Sequence, residues 1–219
     1  KKTSVQITSG PYDEKRPAWS PDGKTIAFVS NRTAEPDTNR DSNIFLIAPM
    51  AGETPKAITT NPSEDSQPAW SPDGKTIVYV AGGAVADMWY GPTHVSTVNV
   101  ATGEVKALTK SLDRNVGTPL YSADGLAILF TIEDGGNSHL GRVSAEGGAI
   151  GRIVAGEREV ESFDTRGGRI AFTESQPAMP SEISVLDGTT VRRLTKTNDA
   201  FLKDIKLATV ERFKAKSKD

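Results

Sequence analysis

Apolar residues in this chain come in short runs of four or five, separated by turn-forming residues, and the runs recur at a fixed interval. Ile26-Ala27-Phe28-Val29 is matched by Ile77-Val78-Tyr79-Val80, then by Ile128-Leu129-Phe130-Thr131 and by Arg169-Ile170-Ala171-Phe172-Thr173. A second family of runs follows at 43–47, 95–100, 139–143 and 182–186, and a third, ending each copy, at 56–59, 106–109, 151–154 and 192–195. Runs this short, rich in β-branched and aromatic residues and bounded by Gly, Pro, Asn and Asp, predict strands rather than helices.

The turns between the runs repeat as well. Pro17 to Ile26 recurs unchanged as Pro68 to Ile77, 51 positions later, and a worn copy, Pro119-Leu120-Tyr121-Ser122-Ala123-Asp124-Gly125, follows at the same spacing. Trp19, Trp70 and Tyr121 fall in register, as do Asp22, Asp73 and Asp124, and Gly23, Gly74 and Gly125. In Ser20-Pro21-Asp22-Gly23 the proline presets φ, the aspartate bonds nearby amides and the glycine accepts a positive φ. These positions therefore read as hairpin chemistry, and the three aromatics as packing between stacked sheets. Four strands per copy at this period predict an all-β fold, a partial β-propeller of four antiparallel blades. The expected blades are 10–60, 61–110, 111–155 and 156–197. Residues 1–9, with Val5 to Thr8, read as an orphan outer strand of a missing blade, and 198–219 as a linker tail.

Composition narrows the function classes. Lysine plus arginine number 26 and aspartate plus glutamate 28, a net charge of −2 that offers no footprint for nucleic acid or an anionic membrane. No run approaches the ~20 apolar residues of a membrane span. The chain has no cysteine, which removes disulfide and thiolate chemistry and suits a cytoplasmic protein. Lys1-Lys2 is followed by polar residues, so no signal peptide is expected at this start. The two histidines, His94 and His139, lack the context of a catalytic base. Asp37, Asn39, Asp41 and Asn43 alternate like the opening of a calcium loop, but the glycine and glutamate that complete one are missing, so a solvated loop is expected. No cofactor or metal is expected.

Two long loops, 31–42 and 81–93, break the blade pattern. The second carries Met88, Trp89 and Tyr90, and by strand alternation it shares an end of the blades with Asp13, Glu14, Lys15, Arg16, Glu64 and Asp65. Met88, Trp89, Tyr90, Asp13 and Arg16 are the candidate contact residues, and the charged ones are expected to be solvated.

The Ser-Pro-Asp-Gly-Lys turn, the Asn-Ile-Phe-Leu-Ile strand at 43–47 and the Gly-Glu-Thr-Pro-Lys-Ala-Ile-Thr ending at 52–59 resemble the WD-like propeller repeats of two groups. One is the prolyl oligopeptidase family of serine peptidases; the other is the periplasmic propeller protein of the bacterial Tol system. The tail from Phe201 to Asp219 resembles the crossover into the α/β-hydrolase domain of acylaminoacyl-peptidase-like members. That resemblance implies a non-catalytic propeller portion, whose partners would be a hydrolase domain absent here and the peptides it admits. The Gly-x-Ser-x-Gly elbow of that family is absent; Gly136-Asn137-Ser138-His139-Leu140 is the nearest and lacks the closing glycine. The chain alone is thus expected to have no peptidase activity. The rival reading is a partner-binding scaffold of the Tol type, which would be periplasmic. A partial ring is also expected to self-associate through its open blade faces.

Overall fold

The computed structural model describes residues 3–87 and 90–218. Its strands group by four. The first blade holds β1 (Lys15–Trp19), β2 (Ile26–Ser30), β3 (Asn43–Ile47) and β4 (Lys56–Ala57), and the second β5 (Asp65–Trp70), β6 (Thr76–Ala81), β7 (His94–Asn99) and β8 (Val105–Ala107). The third holds β9 (Val116–Tyr121), β10 (Ala127–Asp134), β11 (Asn137–Ser144) and β12 (Gly151–Val154). The fourth holds β13 (Glu159–Arg166), β14 (Arg169–Gln176), β15 (Met179–Asp187) and β16 (Thr190–Arg193). Each is an antiparallel meander. A single parallel pair, Ser138 with Glu159, bridges the third blade to the fourth. A short helix, α1 (Asp199–Leu202), follows, and the tail beyond it is irregular and exposed.

The repeated turn forms the same bonds three times. Ser20 Oγ donates to Asp22 Oδ1 at 2.7 Å, Lys24 N–H donates to the same oxygen at 3.1 Å, and Thr25 N–H donates to Ser20 Oγ at 3.0 Å. Ser71, Asp73, Lys75 and Thr76 reproduce this set, as do Ser122, Asp124, Leu126 and Ala127. The serine hydroxyl, then the following backbone N–H, hold each aspartate below its ordinary carboxylate range. Oδ1 of each aspartate accepts within its own turn, so the motif closes hairpins.

A second repeated feature lies in the first strands. Arg16, Gln67 and Thr118 adopt φ of 52°, 55° and 49°, and each precedes a proline. The register slips there by one residue in all three blades. Proline has no N–H for a ladder, so a bulge is where a strand can hold it. The fourth blade has Phe163 in place of the proline; Phe163 pairs normally with Phe172 and the slip moves to Glu161.

Blades stack in chain order through apolar clusters. Ala27 and Ile44 meet Ile77, Tyr79 and Val98; Val78 and Val95 meet Tyr121, Ile128 and Phe130; Leu129 and Leu140 meet Val160, Phe163 and Phe172. The repeated aromatics lock these joints. Trp70 Nε1 donates to Ala18 O of the preceding blade at 3.0 Å, and Tyr121 Oη bonds Thr76 Oγ1 at 2.8 Å. Replacing Trp70 with Phe should cost about 1–2 kcal/mol, because the Ala18 carbonyl loses its donor in a half-buried joint. Urea unfolding measures this, and an unchanged midpoint at unchanged slope would show that the bond contributes nothing net.

Three expectations need correction. Residues 3–9 form no strand; Ile7 packs on Ile26, Phe28, Phe45 and Ile47, the outer face of the first blade. Trp19, unlike Trp70 and Tyr121, does not pack between blades of this structure and is 57% exposed. The segments entering the blades are not solvated loops throughout. Lys15 and Arg16 already belong to β1, Glu14 is paired with Arg32, and Asp65 is fully buried at the start of β5.

Candidate functional site

The β2–β3 and β6–β7 loops lie at the same blade end as the entries to the first strands, opposite the Ser-Pro-Asp-Gly turns. Within the first loop, Asn31 Nδ2 donates to Asn39 Oδ1 at 2.8 Å, Asp41 N–H donates to the same oxygen at 2.9 Å, and Asn43 Nδ2 donates to Asp41 Oδ1 at 2.6 Å. The alternating Asn and Asp residues are thus turn formers bound to one another. Among the described residues, no group of three or more His, Asp or Glu is placed to hold a metal ion.

The second loop is pinched at its base. A methyl group on Gly83 would come within 3.2 Å of Gly91 Cα, so the two strands of the neck touch backbone to backbone. Tyr90 stands beside this neck, 93% exposed. Met88 and Trp89 lie outside the described residues. Asp13 is exposed and pairs loosely with Lys15 at 3.8 Å; Arg16 is exposed on its bulge. Asp13 lines a cleft of about 340 Å³ with Tyr12, Asn39 and Arg40, whereas Tyr90 lines a different groove beyond the second blade. The described candidate contact residues, Asp13, Arg16 and Tyr90, therefore share an end of the molecule without forming one site.

Tyr90's groove, about 710 Å³, lies between the second loop and the third and fourth blades. Pro92, Asp113, Arg114, Glu133, Glu159 and Glu161 line it. Asp134, at its rim, takes Arg114 Nε and Arg152 Nη2, each at 2.7 Å, and the Arg114 bond leads in holding its carboxyl below the ordinary range. Glu133 receives Asn115 Nδ2 at 3.3 Å, and Glu161 accepts from the Ser181 hydroxyl. Glu159 has no counter-ion among the described pairs. The groove is thus acidic and open, and among the described residues no nucleophile–base pair lines it. Its carboxylates offer acceptors to cationic or amide-donor groups. From the tail, Arg212 reaches the rim, donating to Gly135 O at 3.1 Å and Asn137 Oδ1 at 2.7 Å.

Sequence reasoning missed these acids because they come from three distant segments. The one local sign was Glu157-Arg158-Glu159-Val160-Glu161, an alternation that puts Glu159 and Glu161 on the face opposite buried Val160. Neither histidine lines the groove. His139 is buried in β11 with Nε2 at 3.1 Å from Gly156 O, and half-buried His94 is pushed by desolvation below its ordinary value.

No family model matches the chain. Among curated proteins it is 30% identical to the uncharacterized peptidase YuxL of Bacillus subtilis, over 58% of this chain and 23% of that protein. It is 25% identical to dipeptidyl-peptidase 5 of Porphyromonas gingivalis, over 68% of this chain and 22% of that protein. The chain therefore spans less than a quarter of these relatives. Among solved structures, TolB from Acinetobacter baumannii matches with a TM-score of 0.65 at 26% identity, over 87% of this chain and 45% of that one. The acylaminoacyl peptidase of Pyrococcus horikoshii matches with a TM-score of 0.66 at 19% identity, over 90% of this chain and 29% of that one, a likeness of fold. The blade architecture is that of a β-propeller, a fold that TolB shares, and the resemblance to propeller portions of prolyl oligopeptidase family peptidases agrees with the peptidases among its sequence relatives.

Proposed function

We propose that the chain is the non-catalytic propeller portion of a serine peptidase of the acylaminoacyl-peptidase type, and that its loop-bearing end gates peptide access to a hydrolase domain. The observation that carries this reading is the acidic groove at that end, with Tyr90 and the pinched loop on one wall and the tail crossing its rim at Arg212. A groove lined by acids and one exposed aromatic suits an extended peptide. In this reading the tail leads toward the hydrolase domain, which carries the nucleophile, base and orienting acid.

The gene product with its flanking coding sequence tests it. A fluorophosphonate probe should label a serine downstream of residue 219. Replacing residues 84–90 with a short Gly-Ser turn should then raise cleavage of long peptides over a dipeptide substrate by about fivefold, since a wider mouth relieves only size exclusion. Labelling with an unchanged ratio would remove the gating role and keep the peptidase. Absence of any labelled serine would favour the second reading, a partner-binding scaffold, which the 26% identity to TolB supports.

A further inference from the structure

The first strands carry a bond between blades that the repeat makes at one joint and omits at the other. β1, β5 and β9 are edge strands of their blades and lie side by side, so their unpaired edges form the inner side of the stack. In each, the residue before the proline stands out of the ladder. Arg16, Gln67 and Thr118 have no partner on the neighbouring strand, and all three hold a positive φ. Residues with a Cβ seldom adopt that region, and its recurrence at one repeat position marks a conformation the fold imposes. A main-chain N–H taken out of the ladder needs an acceptor from elsewhere. Thr118 has one: its N–H donates at 2.6 Å to Oε1 of Gln67, the same position of the preceding blade.

Gln67 itself is not served in this way. The residue that stands to it as Gln67 stands to Thr118 is Arg16, and a guanidinium can only donate. Among the described residues no group accepts Gln67 N–H, and neither Gln67 Nε2 nor the exposed Arg16 side chain has a partner. The acids beside Arg16 are already matched: Asp13 faces Lys15 at 3.8 Å, and Glu14 pairs with Arg32. Glu64 lies three residues before Gln67, about 10 Å along extended chain. The joint between the first two blades therefore holds an unmatched cation beside two unmatched N–H donors, at the one place where its neighbour has a neutral amide bridge.

We propose that this gap binds a carboxylate of a peptide, either its C-terminus or an aspartate or glutamate side chain. One carboxylate oxygen takes Gln67 N–H, in the place that a bridging glutamine oxygen holds at the next joint. The other takes the Arg16 guanidinium, with Gln67 Nε2 as a further donor. Hydrogen bonds to an ionised acceptor from a charged donor are the short and strong class. The site is opposite in sign to the acidic groove beyond the second blade and selects the opposite group. It lies on the inner edge of β1 and β5, between two blades that are both present, and is independent of the peptidase reading.

Amide NMR of the 15N-labelled 219-residue chain gives the test, with three probes: N-acetyl-trialanine as the free acid, the same peptide as its C-terminal amide, and N-acetyl-Ala-Asp-Ala amide. The expected result is a saturable downfield shift of Gln67 N–H, at about millimolar Kd, with one or both carboxylate peptides and none with the neutral amide. Which of the two carboxylates binds tells a terminal from a side-chain source. Arg16→Gln supplies the missing acceptor, so it should move Gln67 N–H downfield without any peptide, raise the urea midpoint and weaken peptide binding at least tenfold. Arg16→Gly, which suits the positive φ, removes the cation without supplying an acceptor. It should weaken binding as much and leave the free-state Gln67 shift where it was, and it keeps the test decisive should Arg16→Gln fail to fold. No saturable shift with either carboxylate, an equal shift with the neutral amide, or binding indifferent to the loss of Arg16 overturns the proposal.

Discussion

Asp65→Asn is expected to stabilise the protein above pH 7 and leave it unchanged below pH 4. Asp65 is fully buried where the second blade meets the first. Its Oδ1 accepts Asn61 Nδ2 at 2.5 Å, and its backbone N–H donates to Ser42 O at 2.8 Å, but Oδ2 has no hydrogen-bond partner. Burial is the leading reason the carboxyl is pushed up to about 7; bonds to Thr59 and Asn61 oppose it, and Asp41 adds like charge. Ionising Asp65 in the folded state therefore meets no cation. The folded protein holds a proton between about pH 4 and 7 that the unfolded chain has released. The contribution of that proton is complete below the unfolded value and is lost as pH rises to about 7. At 1.36 kcal/mol per unit, some three units correspond to a cost on the order of 4 kcal/mol at pH 8. Asparagine keeps the Asn61 bond and cannot ionise. Urea unfolding at pH 5 and pH 8 should show the variant gaining on the parent across that interval, with the histidines cancelling between the two proteins. Equal pH slopes would disprove the assignment.

The same repeat explains why this acid stands alone. Five residues before the aromatic, the first blade has Glu14, the second Asp65, and the third Val116. Glu14 is matched by Arg32, whose guanidinium also lies 4.8 Å from the Tyr12 ring and 5.2 Å from that of Phe45. The position equivalent to Arg32 in the second blade is Gly83, taken by the neck of the long loop. The loop has thus removed the cation and left the acid. A comparable charge in the fourth blade keeps its partner: buried Glu174 accepts Arg158 Nη1 at 2.8 Å and Ser184 Oγ at 2.6 Å.

What the sequence disclosed follows from the range of the interactions involved. Turns and strands were legible because their causes lie within five residues: Ser20 and Asp22 bond their own hairpin, and the apolar runs at 26–29 and 77–80 sit inside β2 and β6. The first strand of the fourth blade was not legible. Glu159–Arg166 has lost the Trp and Pro markers and alternates apolar Val160 and Phe163 across a bulge, which breaks a period of two. Burial of Asp65 was hidden for a different reason. A charged residue in a polar segment reads as wet, and only the stacking of two blades puts it under cover. The acidic groove is hidden likewise, since Asp113, Glu133 and Glu161 converge only after three blades are in place.

The largest loss of stability is expected from Phe130→Ala in the third blade, about 3–5 kcal/mol. The ring is fully buried between the second and third blades, among Val78, Val95, Ile128 and Ile132. Its cross-strand partner in β11 is Gly141. A methyl group there would lie 3.0 Å from Phe130 Cε2 and 2.6 Å from Ile132 Cδ1, so the glycine exists because the ring and the isoleucine lie over it. Gly141→Ala alone should therefore destabilise by about 1–3 kcal/mol through overpacking. The two substitutions should not add. With the ring gone, the methyl at 141 enters the space it left and Ile132 can turn toward the cavity, so the double variant should be more stable than the sum by about 1 kcal/mol or more. A double-mutant cycle in urea decides it. Additivity would mean that backbone conformation, and not the ring, keeps residue 141 a glycine, and that the third blade tolerates a side chain where its neighbours in the stack have Val95-Ser96-Thr97.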